Sequence, residues 1–63
     1  MMSIKDRFNN LQKLNKNGVE SLISICKTNN YSYDKNSNKI KLIHNILKKE
    51  FRPNIYNNFI NYI

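Results

Sequence analysis

The chain of 63 residues is poor in the residue types that build catalytic and metal sites. Its single cysteine, Cys26, excludes an internal disulfide, and with the single histidine, His44, it supplies too few ligands for a zinc site. A glycine-rich loop that cradles phosphates needs several glycines, whereas Gly18 is the only one. No third residue is evident that would orient Cys26 and His44 as a nucleophilic pair. We therefore expect no enzyme, and neither a cofactor nor a metal ion.

Long apolar runs are also absent. No uninterrupted apolar run exceeds three residues, which is too short for any segment to span a bilayer. The segment 1–6 has no apolar stretch of the kind that a secretory signal requires. These absences predict a protein of the cytoplasm or of an organelle interior, and not a secreted protein.

Alanine is missing and Gly and Pro occur once each, while Asn occurs 13 times and Lys and Ile 9 times each. The abundant residues have codons rich in A and T, so we infer a genome rich in these bases. The 11 basic residues outnumber the 4 acidic ones and give a net charge of +7. Because mutation pressure alone supplies lysine in such a genome, the position of the lysines is better evidence for a nucleic-acid partner than their number.

Apolar residues recur at helical spacing in several segments, and no segment shows the alternation of a strand. These segments are residues 4–14, 19–28, 40–51 and 54–63. A polar loop, 31–38, separates the second segment from the third. We expect an all-α fold, with residues 1–63 forming one small domain of three or four helices. Its predicted centre is a helix–extended loop–helix core at 19–51.

Capping residues mark the ends of the first two predicted helices. Ser3 is placed as the N-cap of the first helix, and Gly18 is expected to end that helix in a left-handed conformation. Asn17 is placed to cap the second helix. Asn30 follows the second helix and tolerates a positive φ angle there.

The third predicted helix begins after a cap at Asn36 or Ser37 and ends before Pro53, because proline cannot donate a helical hydrogen bond. Pro53 then lies in the first turn of a short last helix. So short a helix is marginal in water, so we expect the tail 54–63 to dock on its own domain or on a partner protein. The residues assigned to partner docking are Ile55, Phe59, Ile60 and Ile63.

One face of the third predicted helix gathers basic and amide side chains opposite its apolar face. Lys41, Asn45, Lys48 and Arg52 fall within one narrow stripe when residues are spaced at about 100° around the axis. Lysines on such a stripe neutralise phosphates, and amides hydrogen-bond to phosphates or base edges. The full set of predicted nucleic-acid-binding residues is Tyr33, Lys35, Lys39, Lys41, Asn45, Lys48, Lys49 and Arg52.

Each of these residues also has a simpler interpretation. The lysines can solvate an exposed face in a lysine-rich chain. Tyr33, which can stack on a base, can instead pack on its own domain. For Cys26 and His44 the simpler interpretation is preferred, namely a small core residue and a boundary or surface residue.

The segment from Val19 to Lys49 resembles a known helical module. Its sequence reads VESLISIC, then NY at 30–31, then KIKLIHNILK at 39–48. This pattern resembles the Rho-N module, the N-terminal helical domain of the bacterial transcription terminator Rho, and is similar to the SAP module. Asn30 replaces the glycine usual in that pattern, and the loop is longer than in SAP. The resemblance implies contact with nucleic acid through Lys39, Lys41 and Lys48, and implies neither termination activity nor ATP hydrolysis.

Three hypotheses follow from these features. The first is a small RNA-binding constituent of a ribonucleoprotein such as a ribosome, with neighbouring proteins as further partners. The second is a free DNA-binding module of the SAP type. The third is a protein-interaction subunit that uses its apolar tail, with lysines that only solvate the surface.

Overall fold

The computed structural model describes residues 2–14 and 18–62, and it contains four α-helices in these ranges. They are α1 (Ile4–Gln12), α2 (Gly18–Thr28), α3 (Lys39–Glu50) and α4 (Pro53–Tyr62). The described ranges contain no strand, which confirms the all-α prediction. Within them no helix is long and apolar enough to cross a membrane.

Helix α3 lies at the centre of the fold and packs against each of the other three helices. Its buried side chains repeat at helical spacing and form one wide apolar stripe; they are Leu42, Ile43, Ile46 and Leu47. Full burial of such a side chain contributes about 1.5–3 kcal/mol, so this stripe is the main anchor of the fold. The other helices add Leu11, Leu22, Cys26, Tyr56 and Phe59 to the same core.

The N-terminus of α1 is capped as the sequence predicts, and that of α3 is not. Ser3 Oγ accepts a hydrogen bond from the Asp6 backbone N–H at 3.2 Å. At α3 the cap is Asn38, whose Oδ1 accepts from the Lys41 N–H at 2.9 Å. The prediction of Asn36 or Ser37 is therefore wrong. The backbone N–H groups of both residues donate within a turn that begins at Asp34, which leaves Asn38 to start the helix.

The C-terminus of α1 is closed by a residue that the sequence pattern does not identify. Gly18 lies in the first turn of α2 and has no positive φ angle, so its predicted role as a left-handed cap is wrong. Instead, Lys39 Nζ donates to the carbonyl oxygens of Gln12 and Leu14, at 2.9 and 2.6 Å. A Cβ atom at position 18 would lie 3.1 Å from Lys39 Cε, so an alanine there would be in tight contact with this side chain. The predicted cap Asn17 lies outside the described residues.

The C-terminus of α2 follows the prediction. Asn30 has a φ angle of 59°, as the sequence suggests. Its N–H donates to the Lys27 carbonyl at 3.3 Å, and the next N–H, of Tyr31, donates to the Cys26 carbonyl at 2.8 Å. This pair of bonds is the Schellman arrangement, with asparagine in the place where glycine is common. It directs the loop back over the core, against which Tyr31 packs.

Helix α4 begins at Pro53 as predicted, and it docks on its own domain. Phe59 is buried, with its ring centroid 5.1 Å from that of Phe8, so it is mainly a core residue. Ile55 and Ile60, by contrast, are 41% and 39% exposed. Ile63, the fourth predicted docking residue, lies outside the described residues.

Candidate nucleic-acid interface

The loop between α2 and α3 is attached to α3 by side-chain hydrogen bonds. Asn45 Nδ2 donates to the Ser32 carbonyl at 2.7 Å. Further along, Asp34 accepts twice, from the Asn36 N–H at its Oδ1 and from the Ser37 N–H at its carbonyl, each at 2.9 Å. These bonds hold the loop as a fixed wall beside the polar face of α3.

A cleft lies between this wall and α3, with a volume of about 290 Å³. We refer to it as the loop–α3 cleft; its lining residues are Asp34, Ser37, Lys41, Leu42, His44, Asn45 and Lys48. Three residues of the predicted basic stripe, Lys41, Asn45 and Lys48, therefore meet at one concave surface. Six of its seven lining residues are polar or charged, and these include two lysines and one aspartate.

The two lysines of the cleft differ in how they are held. Lys41 is exposed in the first turn of α3. Lys48 Nζ lies 5.5 Å from the centroid of the Tyr56 ring, which attracts the cation through its electron-rich face. The two residues are separated by seven positions, or about 10 Å along the helix axis. They can therefore serve neighbouring charges of one extended ligand.

The titratable groups next to the cleft are kept neutral by burial. Burial, reinforced by the charge of Lys48, lowers the pKa of His44, whose Nδ1 shares a hydrogen bond of 3.1 Å with Tyr56 Oη. Burial also raises the pKa of the Cys26 thiol, and a hydrogen bond with the Asn45 side chain opposes this rise only in part. At neutral pH the cleft therefore gains no charge from the imidazole, and Cys26 remains a thiol.

Asn45 supports the wall of the cleft, because its Nδ2 donates to the Ser32 carbonyl. The sequence predicts this residue as a contact to phosphates or bases. In the structure its side chain ties the loop to α3.

Two predicted basic residues lie away from the stripe. The Lys39 ammonium is half-buried and donates to the two carbonyls at the end of α1. Arg52 follows Phe51, whose backbone is extended at φ −119° and ψ 154°, so α3 has already ended and the helical spacing no longer places Arg52. It remains exposed, near the start of α4.

The other candidates are not in the lining of the cleft. Lys35 is exposed in the loop turn, and Lys49 is exposed in the last turn of α3. Tyr33 is half-buried and packs against the core, as its simpler interpretation suggests. A base stacked on Tyr33 would meet only the part of the ring that this packing leaves accessible.

A salt bridge to α1 neutralises the only carboxylate of α3. Arg7 Nε and Nη2 donate to the two carboxylate oxygens of Glu50, at 2.9 and 3.0 Å. The partners are 43 positions apart, so no sequence pattern identifies the pair. As a result, the charge of the exposed face of α3 comes from its lysines.

Sequence reasoning also missed Asp34, Ser37 and His44 in the cleft lining. Asp34 carried one usable signal, because an Asp two residues before a polar residue commonly accepts that residue's N–H in an Asx turn. His44 carried none, since its place beside the cleft depends on the packing of α4 against α3.

A second concave surface lies between α1 and α4, and we call it the α1–α4 groove. Its volume is about 410 Å³, and its lining residues are Ile4, Lys5, Ile55, Asn58, Phe59 and Tyr62. Tyr62 is 77% exposed, and Lys5 Nζ lies 5.5 Å from the centroid of its ring. This surface contains one of the two exposed isoleucines assigned to partner docking.

Comparison of the chain with protein-family models, with curated proteins and with solved structures found no match. Similarity to the Rho-N and SAP modules therefore stays an interpretation of the sequence pattern. The function has to be inferred from the geometry of the two concave surfaces.

Proposed function

We propose that this chain is a small RNA-binding protein without catalytic activity, and that it is a constituent of a ribonucleoprotein such as a ribosome. The observation that carries the proposal is the loop–α3 cleft, where Lys41 and Lys48 meet on one surface. The nearby carboxylate of Glu50 is occupied by Arg7, which leaves this face basic. Lysines at such a surface bind the phosphates of a nucleic-acid strand.

The number of cations around the cleft is small, and this favours a bound constituent over a free binder. Lys41 and Lys48 line the cleft, and Lys49 is exposed on the same helix. When the logarithm of affinity is plotted against the logarithm of salt concentration, each phosphate contact to a single strand makes the slope more negative by about 0.7. Three contacts therefore give a slope of about −2 and a weak affinity at physiological salt. Further contacts in an assembly would then hold the protein in place.

The test compares two double variants of equal charge. In Lys41→Gln/Lys48→Gln both lysines of the cleft are replaced, and in Lys13→Gln/Lys27→Gln two exposed lysines of other regions are replaced. Fluorescence anisotropy would measure the affinity of each for single-stranded RNA, stem-loop RNA and duplex DNA over a salt series. The slope of log affinity against log salt concentration should become shallower by about 1.4 in the cleft variant, because two phosphate contacts are lost. We expect the control to keep the wild-type slope.

The same measurement separates the competing hypotheses. Equal losses in both double variants would mean that binding follows net charge and not the cleft. Tighter binding to duplex DNA than to either RNA would favour a DNA-binding module of the SAP type. Co-sedimentation with ribosomal particles in high salt would support the ribonucleoprotein assignment, and recovery only as a free monomer would contradict it.

The RNA-binding proposal includes the resemblance of the sequence to the Rho-N and SAP modules. Both modules place a polar loop between two helices, and the order of α2, the loop 29–38 and α3 is compatible with that plan. A location in the cytoplasm or an organelle interior, where RNA is found, is part of the same proposal.

A protein-interaction subunit is the second candidate function, and the α1–α4 groove favours it. Ile55 is 41% exposed and Tyr62 is 77% exposed, and both border the groove. Replacing both with Asn would abolish assembly under this hypothesis and leave RNA affinity intact. Loss of assembly in the Lys41→Gln/Lys48→Gln variant instead would favour the RNA-binding function.

A further inference from the structure

We propose that the loop–α3 cleft holds one ribonucleotide unit of the RNA strand, with the ribose 2′-hydroxyl donating to the Asp34 carboxylate and the flanking phosphates bound by Lys41 and Lys48. This inference rests on the proposed RNA-binding function. It adds the chemical reason why RNA is bound in preference to DNA.

The position of Asp34 is the first argument. A site for phosphate alone gains nothing from an aspartate in the same cleft as its two lysines, because the carboxylate repels the anion. A ligand that fits this cleft must therefore offer a hydrogen-bond donor as well as negative charge. A ribonucleotide unit offers both, since its 2′-hydroxyl donates and its phosphates are anionic. A deoxyribonucleotide lacks the donor.

The Asp34 carboxylate is positioned by the turn and can accept a hydrogen bond from such a donor. Its Oδ1 accepts from the Asn36 N–H at 2.9 Å, which fixes the side chain in the turn. Among the described residues, no lysine or arginine forms an ion pair with Asp34. The second carboxylate oxygen therefore remains available to a ligand in the cleft.

The dimensions and lining of the cleft agree with one nucleotide unit. Its volume of about 290 Å³ lies at the lower end of the range for small-ligand sites, about 300–1,000 Å³. Its surface is polar and apolar in similar parts, so a ligand that carries both a sugar or base face and charged groups fits it. The Cα atoms of Lys41 and Lys48 lie about 10 Å apart along the axis, and their long, flexible side chains can converge on phosphates of one strand.

The experiment uses wild-type protein and three single-stranded oligonucleotides of one sequence, with ribose, 2′-deoxyribose or 2′-O-methylribose. The 2′-O-methyl strand keeps the ribose oxygen but cannot donate a hydrogen bond. We expect the ribose strand to bind about ten-fold more tightly than both of the others, as a charge-assisted hydrogen bond predicts. Equal affinity for the ribose and 2′-O-methyl strands would overturn the inference.

The variant Asp34→Asn gives an independent readout. Its side-chain oxygen can still accept from the Asn36 N–H, so the turn is retained, while the negative charge is lost. We expect affinity for the ribose strand to fall and affinity for the deoxyribose strand to rise, because phosphate repulsion is relieved. A parallel fall for both strands would indicate a merely structural role and contradict the inference.

The closing comparison distinguishes the two proposals. If Lys41→Gln/Lys48→Gln loses binding but the wild type does not distinguish ribose from 2′-O-methyl, the ribonucleotide inference fails and the RNA-binding function stands. If no strand binds with a salt dependence that these lysines affect, both fail.

Discussion

Lys39 offers the clearest test of whether a lysine stabilises the fold or binds nucleic acid, because the sequence predicts it as a nucleic-acid contact. In the structure its ammonium donates to the Gln12 and Leu14 carbonyls at the end of α1. Replacing Lys39 with Met keeps most of the aliphatic chain and removes the donor. We expect this variant to be less stable than the wild type, while its folded form binds RNA as tightly as before.

The size of the loss follows from the two hydrogen bonds. A hydrogen bond from a charged group contributes about 1.5–3 kcal/mol when it is well shielded. One of the two bonds is exposed and the other is partly buried, so we expect a total loss of about 2 kcal/mol. The whole domain is expected to be stable by only about 3–9 kcal/mol. The melting temperature should accordingly fall by about 8–16 °C.

Urea denaturation followed by circular dichroism measures this loss, and anisotropy with single-stranded RNA measures binding. Lys35→Met is the matched control, since Lys35 is exposed in a turn, and its stability should stay within about 0.5 kcal/mol of wild type. A Lys39→Met variant of wild-type stability with lost RNA binding would refute the structural role. It would restore the sequence prediction that Lys39 contacts phosphate.

Substitution of Gly18 tests, in the same denaturation experiment, whether the Lys39 side chain is anchored. Ala at this position would bring its Cβ to 3.1 Å from Lys39 Cε, which the two carbonyl bonds hold in place. Gly18→Ala should therefore give no gain in stability in the wild type. In the Lys39→Met background the unanchored side chain can move away, and the same change should gain up to about 1 kcal/mol from helix propensity. Equal effects in both backgrounds would argue against the anchored lysine.

Three other predictions concern the core and its titratable groups. Because the pKa of His44 is lowered in the folded state, the unfolded chain binds more protons, so stability should be full above about pH 6.5 and fall as the pH drops toward the lowered value. A denaturation series over pH checks this, and an equal fall in wild type and in His44→Gln would contradict it. Buried Cys26, whose pKa is raised, should react with a thiol reagent only as fast as the protein unfolds, so rapid labelling of the folded protein would contradict its burial. Phe59→Ala should cost about 3–5 kcal/mol and Ile60→Ala far less, and similar losses in thermal unfolding would contradict the packing of α4 described above.

The helices could be predicted because each one follows from local pattern. Leu42, Ile43, Ile46 and Leu47 repeat at helical spacing, and that repeat alone identifies the buried face of α3. Asn30 could be predicted to end α2, because few residues other than glycine adopt a positive φ angle readily. In α3 and at the end of α2, the conformation that the local sequence prefers is also the one that the packed fold requires.

The cap of α3 shows where local pattern is insufficient. Asn36, Ser37 and Asn38 are three consecutive residues with similar preference for an N-cap. Asn36 and Ser37 belong to the turn that begins at Asp34, and Asn38 is the first residue after that turn. The sequence contains every group in this competition, but no propensity says which hydrogen bond prevails.

The candidate site was predictable in part, for a related reason. Lys41 and Lys48 lie within the regular part of α3, so the helical spacing placed them correctly on one face. The helical spacing does not place Arg52, because α3 ends before it. Lys39 and the Arg7–Glu50 pair depend on how α1 packs against α3, which is a tertiary contact that no spacing within one helix contains.

The structure changes how the basic composition bears on function. A genome rich in A and T explains why the chain has many lysines, but it does not explain why individual lysines make different contacts in the fold. Lys39 closes a helix and Lys48 lies over an aromatic ring, so both have a physical role in the folded chain without any ligand. Lys41 has no such role among the described contacts, yet it lies at the cleft beside Asp34. A ligand is therefore the best explanation for the position of the Lys41 side chain, and the RNA-binding proposal depends most on this residue.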